Sequence, residues 1–169
     1  MLQEVLPGNM VRIGKGIYGL TPSSELVSKR VQEAHPSFSL TPALTWKTRI
    51  IQIRNVPKGV AVGYGQTYVT EEQKKLAILP VGFADGYRRS LSNVGEVVIK
   101  KKRCPIRGRV CMNNLIVDVS HVSTARVGDD VVLFGSGGVP IDQLASCAES
   151  ITTEFVSGIH PDLPRVIVS

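Results

Sequence analysis

The rhythm of hydrophobic and polar residues along this chain changes once, near Pro36, and the change divides it in two. Before it, Met10-Val11-Arg12-Ile13 is a short apolar run that ends at Gly14. A loop through Gly19-Leu20 leads to Thr21, a helix N-cap, with Pro22 at the first helical position. Leu26, Val27, Val31 and Ala34 then recur on one helical face. That helix is expected to stop before Pro36, since the residue preceding a proline disfavours helical torsions. A strand-loop-helix unit of this size cannot bury both of its faces alone.

Beyond about Leu40 the period shortens to two. Leu44, Trp46, Thr48 and Ile50 alternate, and Ile51, Ile53 and Val56 continue out of phase, a shift read as a bulge or bend. Pro57-Lys58-Gly59 is a turn. Further strands are expected over residues 75–79, 95–100, 106–111, 115–119 and 130–134, with an apolar strand over 165–168 closing the chain. One helix interrupts them, where Ile141, Leu144, Ala145 and Ala148 share a face after Val139-Pro140. The pattern predicts a mainly β domain, barrel- or sandwich-like, over residues 36–169, preceded by a β-α piece over residues 1–35.

The composition narrows the chemistry. A hydrophobic fraction of 43% in 169 residues permits a real core, and no apolar run approaches the length of a membrane helix. The first residues lack the basic start and apolar run of a secretory signal, so a cytoplasmic protein is expected. Cys104, Cys111 and Cys147 show no metal-ligand spacing, and His35, His121 and His160 do not pair with them, so no metal site is expected. The net charge of +6 is concentrated at Lys100-Lys101-Lys102-Arg103. That run sits between two apolar segments with no aromatic beside it, which reads as a solvated hairpin tip and not as a nucleic-acid surface.

Several short motifs follow one another in a fixed order. They are Arg12-Ile13-Gly14 with Ile17-Tyr18-Gly19-Leu20; Lys47-Thr48-Arg49; Val62-Gly63-Tyr64-Gly65-Gln66-Thr67; Gly82-Phe83-Ala84-Asp85-Gly86-Tyr87; and Leu91-Ser92-Asn93. Cys104-Pro105-Ile106, Gly108-Arg109-Val110-Cys111-Met112, Val127-Gly128-Asp129 and Leu163-Pro164-Arg165 complete the series. Each alone is weak, but the ordered set resembles the last third of alanine racemase, a family that uses pyridoxal 5'-phosphate (PLP).

The resemblance implies that residues 1–35 are the last strand and helix of a PLP-binding (β/α)8 barrel, and that residues 36–169 are the family's carboxy-terminal β domain. It implies a homodimer in which each β domain completes the active site of the other subunit. The activity implied is interconversion of L- and D-alanine for peptidoglycan precursors. Serine or another small amino acid is an alternative substrate, and a non-catalytic β domain kept for binding or assembly is the reading from a different class. The family's cofactor-bearing lysine has no counterpart in these 169 residues, so the chain alone is expected to be inactive and not to hold PLP.

The same resemblance assigns roles to single residues. Phe83 stands where the family carries a catalytic tyrosine, and it has no hydroxyl to move a proton. Tyr64 and Tyr87 lie nearby in sequence but do not match the family's base. Arg12 resembles the arginine that faces the pyridine nitrogen of PLP; Gly14 and Lys15 match the segment that contacts its phosphate. Met112 matches the residue whose backbone amide holds the substrate carboxylate, and Asn113 replaces a common Asp. Arg109 and Asp85 resemble members of a charged substrate corridor. Pro161 stands where some relatives have a tyrosine near the phosphate, and a proline has no N–H to donate there.

Overall fold

Where the hydrophobic alternation slips at Ile50-Ile51, the chain leaves one β-sheet and enters another. A computed structural model describes residues 9–10, 13–20, 29, 32–37 and 39–168. The chain divides into two units, residues 1–43 and 44–169.

In the first unit the described part is a 3-10 turn, Lys15–Tyr18, that follows Gly14 and ends at Gly19. Gly19 adopts φ 69°, and a Cβ there would lie 1.7 Å from the Thr41 carbonyl oxygen, so only glycine fits. The Ala43 N–H donates to the Tyr18 carbonyl at 3.0 Å, which returns the chain onto this turn. Lys29 and residues 32–34 are helical, and the helix ends before Pro36 as its sequence requires. Val11, Arg12, Thr21, Pro22, Leu26, Val27 and Val31 lie outside the described residues. Met10 and Ile13, the described members of the expected first strand, are in no strand.

The second unit is mainly β. Strands β1 (Trp46–Arg49), β2 (Gln52–Val56), β3 (Ala61–Val62), β4 (Tyr68–Val69), β5 (Lys74–Leu79), β6 (Glu96–Ile99), β7 (Lys102–Pro105), β8 (Leu115–Asp118) and β9 (Asp130–Phe134) form three sheets. A four-stranded sheet runs β1-β9-β6-β7, a three-stranded sheet runs β2-β5-β8, and β3-β4 is a two-stranded ribbon. All the strand pairs are antiparallel.

The two larger sheets meet at both edges. At one, Ile50 separates β1 from β2: its N–H donates to the Asp129 carbonyl while Ile51 already donates to Ile78. At the other, Ile106, just beyond β7, bridges to Val117 of β8. The hydrogen-bonded ladder itself does not close into a barrel. Between the sheets, Leu79, Val97, Ile99, Ile106, Leu115, Val117, Val131 and Leu133 are fully buried. Helix α1 (Ile141–Cys147) adds Leu144 and Ala145 to the buried set, and α2 (Thr152–Ser157) adds Phe155.

Three expectations are corrected. The phase shift after Ile50 is a change of sheet, not a bulge inside one strand; the register irregularity of β1 falls earlier, between Trp46 and Lys47. The segment 106–111 is not a strand. Gly108 at φ 78° breaks its ladder, and the pairing with β6 is made one segment earlier, by β7. The basic run is therefore split: Lys100 and Lys101 form the left-handed turn of the β6-β7 hairpin, while Lys102 and Arg103 already belong to β7. Finally, residues 165–168 form no strand, and Val166, Ile167 and Val168 are 82%, 99% and 85% exposed. They have the side chains of a strand but no described neighbour to pair with.

Candidate functional site

Gly82 begins the site because it has no side chain. A Cβ at this position would lie 2.2 Å from the carbonyl oxygens of both Cys111 and Met112, so the backbone can reach that segment only as glycine. Two hydrogen bonds fix the approach: the Phe83 N–H donates to Cys111 and the Ala84 N–H donates to Met112, each at 3.0 Å. A single 3-10 turn, Phe83–Asp85, follows. The Asp85 carboxylate accepts the Gly82 N–H at 2.8 Å, and Gly86 closes the turn at φ 99°. Gly86 is also a close approach, since a Cβ there would lie 2.1 Å from the Gly158 carbonyl oxygen.

The result is an exposed face. Phe83 is 41% exposed and Met112 is 57% exposed, side by side on two segments held by backbone bonds. The Met112 N–H has no acceptor among the described residues, so it is available to an incoming carboxylate. Asp85, in contrast, uses one carboxylate oxygen inside its own turn.

One residue beyond that turn the chain points inward. The Tyr87 ring packs edge-on against Trp46 at 6.0 Å, and Trp46 packs edge-on against Phe134 at 5.7 Å. Tyr87 is 1% exposed, its hydroxyl has no partner among the described residues, and burial pushes its pKa far above the ordinary tyrosine value. It is a poor proton carrier. Tyr64 is 72% exposed on a separate turn, Tyr64–Gln66.

Arg109 is half-buried beside that turn. Its Nε would lie 3.3 Å from a Cβ on Gly65, which itself sits at φ 72°. With Thr67, Arg89, Ser90, Ser92 and Asn93 it lines a cavity of about 490 Å³. The sequence pointed to Arg109 but not to Arg89; the doublet Arg88-Arg89 ahead of Ser90-Leu91-Ser92-Asn93 was the available signal. Gly14 and Lys15 lie in the other unit, at the start of its 3-10 turn. Gly14 is exposed with no atom of the described residues within 4 Å of a Cβ position, and Lys15 is half-buried. Arg12 lies outside the described residues.

Elsewhere the reactive groups are quiet. Burial, helped by Asp118 and Glu96, pushes the Cys104 thiol up to about 11, which leaves it protonated and a poor nucleophile at neutral pH. Among the described residues no three His, Cys, Asp or Glu gather into a metal-holding group. No helix among them is long and apolar enough to cross a membrane.

Comparison with known proteins gives a consistent family. Residues 43–167 match the family model described as alanine racemase, C-terminal domain. The alanine racemase of Halothermothrix orenii is 45% identical over 160 residues, which is 93% of this chain and 40% of that relative. Among solved structures, the alanine racemase of a D-cycloserine-producing Streptomyces lavendulae superposes with a TM-score of 0.81 at 33% identity, over 92% of this chain and 40% of that one. The alanine racemase of Bartonella henselae, described with covalently bound pyridoxal phosphate, gives a TM-score of 0.74 at 28% identity, over 85% and 37%. The chain thus spans about two fifths of the length of the relatives it matches.

Proposed function

This chain belongs to the family of alanine racemase carboxy-terminal domains, and on that premise we propose that it is the β-domain part of a cytoplasmic, PLP-dependent amino-acid racemase. In this reading residues 1–35 are the end of a cofactor-binding barrel and residues 36–169 are the β domain. The cofactor's lysine lies in the part of the polypeptide outside this chain. The whole protein is a homodimer that interconverts L- and D-alanine for peptidoglycan precursors, with each β domain reaching into the other subunit's site.

The observation that carries the reading is the Phe83–Met112 face. Gly82 brings the two segments together, and both side chains are exposed, whereas Tyr87, Phe134 and Phe155 of the same domain are buried. A side chain aimed at solvent from a rigid turn suits a site completed by another chain. The Met112 N–H binds and orients the substrate carboxylate there. Arg109 and Asp85 flank the approach, with Asp85 acting chiefly to hold the Phe83 turn in shape.

PLP, when bound, supplies the electron withdrawal that makes the α-proton of an amino acid removable. For its site, the exposed Gly14 and the adjacent Lys15 leave room for an anionic group, so those two residues fit a phosphate; Arg12 is assigned to the ring nitrogen by resemblance alone. Phe83 excludes water from its side of the substrate but holds no proton. The hydroxyl that this face needs is missing, and Tyr87, four residues on, does not replace it because it is enclosed.

A second reading has a specific observation in its favour. With Phe83 in place of a tyrosine, the β domain is kept for assembly and the face serves contact only. The whole polypeptide, loaded with PLP, separates the two. The racemase reading expects weak racemisation of L-alanine by chiral chromatography, raised roughly 10²–10⁴-fold by Phe83→Tyr. No racemisation by either protein favours the assembly reading, and equal rates in both mean that position 83 does not face the reacting centre.

A further inference from the structure

The Phe83 turn is gripped from two sides, and the Gly82 contact with Cys111 and Met112 is only the first. On the second side Gly86 meets Gly158: a Cβ on Gly86 would lie 2.1 Å from the Gly158 carbonyl oxygen and 2.9 Å from the Ile159 Cα. A hydrogen bond from the His160 N–H to the Asp85 carbonyl, at 3.0 Å, closes this side. A 3-10 turn of three residues has too few bonds of its own to fix its place, so its position depends on where residues 158–160 are held. That segment belongs to no strand and follows α2, a helix of six residues.

Arg88 holds the segment. Its side chain runs from the residue after Tyr87 to the end of α2, where Nη2 donates to the Glu154 carbonyl at 2.6 Å and pairs with the Glu154 carboxylate at 3.4 Å. The same carbonyl accepts the Gly158 N–H at 3.0 Å, so one oxygen joins the arginine to the segment. The guanidinium also lies over the buried Phe155 ring, 5.9 Å from its centroid. Gly158 makes room for it, since a Cβ there would lie 2.9 Å from Arg88 Nη2. The Arg88 Nε, in contrast, is buried with no acceptor among the described residues, a cost that the contacts at the far end offset. A lysine would keep the charge and reach one acceptor, but it lacks the planar fork that bonds and stacks at once.

We propose that Arg88 is a positioning residue: by fastening residues 158–160 against Asp85 and Gly86, it fixes the Phe83 turn, and with it the side chain at position 83, relative to the Met112 N–H. The fastening stands on these contacts; its bearing on racemisation rests on the racemase reading.

Two readouts on the whole polypeptide, loaded with PLP, keep those two statements apart. The first is hydrogen exchange at the amides of Phe83, Ala84 and His160, which Arg88→Gln is expected to speed about tenfold while β5 and β9 keep their protection. The second is the gain in racemisation from Phe83→Tyr, measured with and without Arg88→Gln. A hydroxyl on a misplaced turn contributes little, so the gain is expected to fall about tenfold or more, whereas a general loss of fold lowers both members of the pair alike. Arg88→Lys is expected to recover part of the gain through the one bond it still makes. If Arg88→Gln fails to fold, Glu154→Gln removes the carboxylate, keeps the carbonyl and is expected to shift both readouts the same way by about twofold. Unchanged exchange at the three amides in folded variants overturns the proposal, and so does an undiminished gain. Faster exchange with no racemisation in either background supports the fastening and counts against the racemase reading alone.

Discussion

Phe83 and Tyr87 are four residues apart and opposite in every respect that matters to chemistry. Phe83 stands on an exposed turn beside Met112 and has no hydroxyl. Tyr87 has the hydroxyl and is enclosed against Trp46, with no acceptor for its proton among the described residues. The difference teaches that the capacity to move a proton depends on place before residue type: an enclosed phenol is held neutral by desolvation. An exposed ring without oxygen carries no proton at all. A motif that contains a tyrosine is therefore no guarantee of a base.

The largest way to break this contrast is to remove the glycine beneath Phe83. Gly82→Ala forces a methyl group onto the Cys111 and Met112 carbonyls, and is expected to cost about 3 kcal/mol in denaturant unfolding. The same variant displaces Phe83 from Met112, which loss of protection at the amides of Phe83 and Ala84 will report in hydrogen exchange.

Asp118 gives the next effect, because it is a buried polar group that does have partners. Burial opposes its ionisation, but the Ser120 hydroxyl and amide, then Lys74 at 3.4 Å, outweigh it and hold the carboxyl below the ordinary range. Its folded value being depressed, its contribution is complete above the unfolded carboxyl's value of about 4 and is lost as pH falls through the lower folded value. Asp118→Asn is expected to cost about 2 kcal/mol at neutral pH and to flatten the acid limb of stability below about pH 4. Urea midpoints across pH will check both.

The smallest effect has the opposite sign. Tyr87→Phe deletes a buried hydroxyl without a partner and keeps the ring that packs on Trp46. Stability is expected to be unchanged or raised by about 1 kcal/mol, readable as a small upward shift of Tm. A marked loss would mean that the hydroxyl has a partner after all.

The strands that were legible in the sequence were those whose side chains alternate and whose ends carry turn residues. Residues 75–79 and 130–134 are almost unchanged as β5 and β9, and the α1 face of Ile141, Leu144 and Ala145 is buried. Strand β7 was hidden because two of its four residues are charged and read as the hairpin tip. The short helix α2 left little trace, since only Phe155 and Thr152 are buried along it. Val166-Ile167-Val168 has strand propensity with no described partner, and β pairing is decided by neighbours more than by propensity. At the candidate site, the ordered motifs placed Phe83 and Met112 in one family signature. Neither the contact between them through Gly82 nor the shared cavity of Arg89 and Arg109 was readable, because both depend on chain segments that meet only after folding.

On the proposed function, the Phe83 turn, and not Tyr87, faces the reacting centre of another subunit. A crystal structure of the whole polypeptide with PLP tests it most directly. The expected result is the Phe83 ring of one subunit in van der Waals contact, about 4 Å, with the cofactor or substrate of the other, and Tyr87 still enclosed. A dimer in which Phe83 faces solvent, or in which the Tyr87 hydroxyl reaches the cofactor, would contradict it.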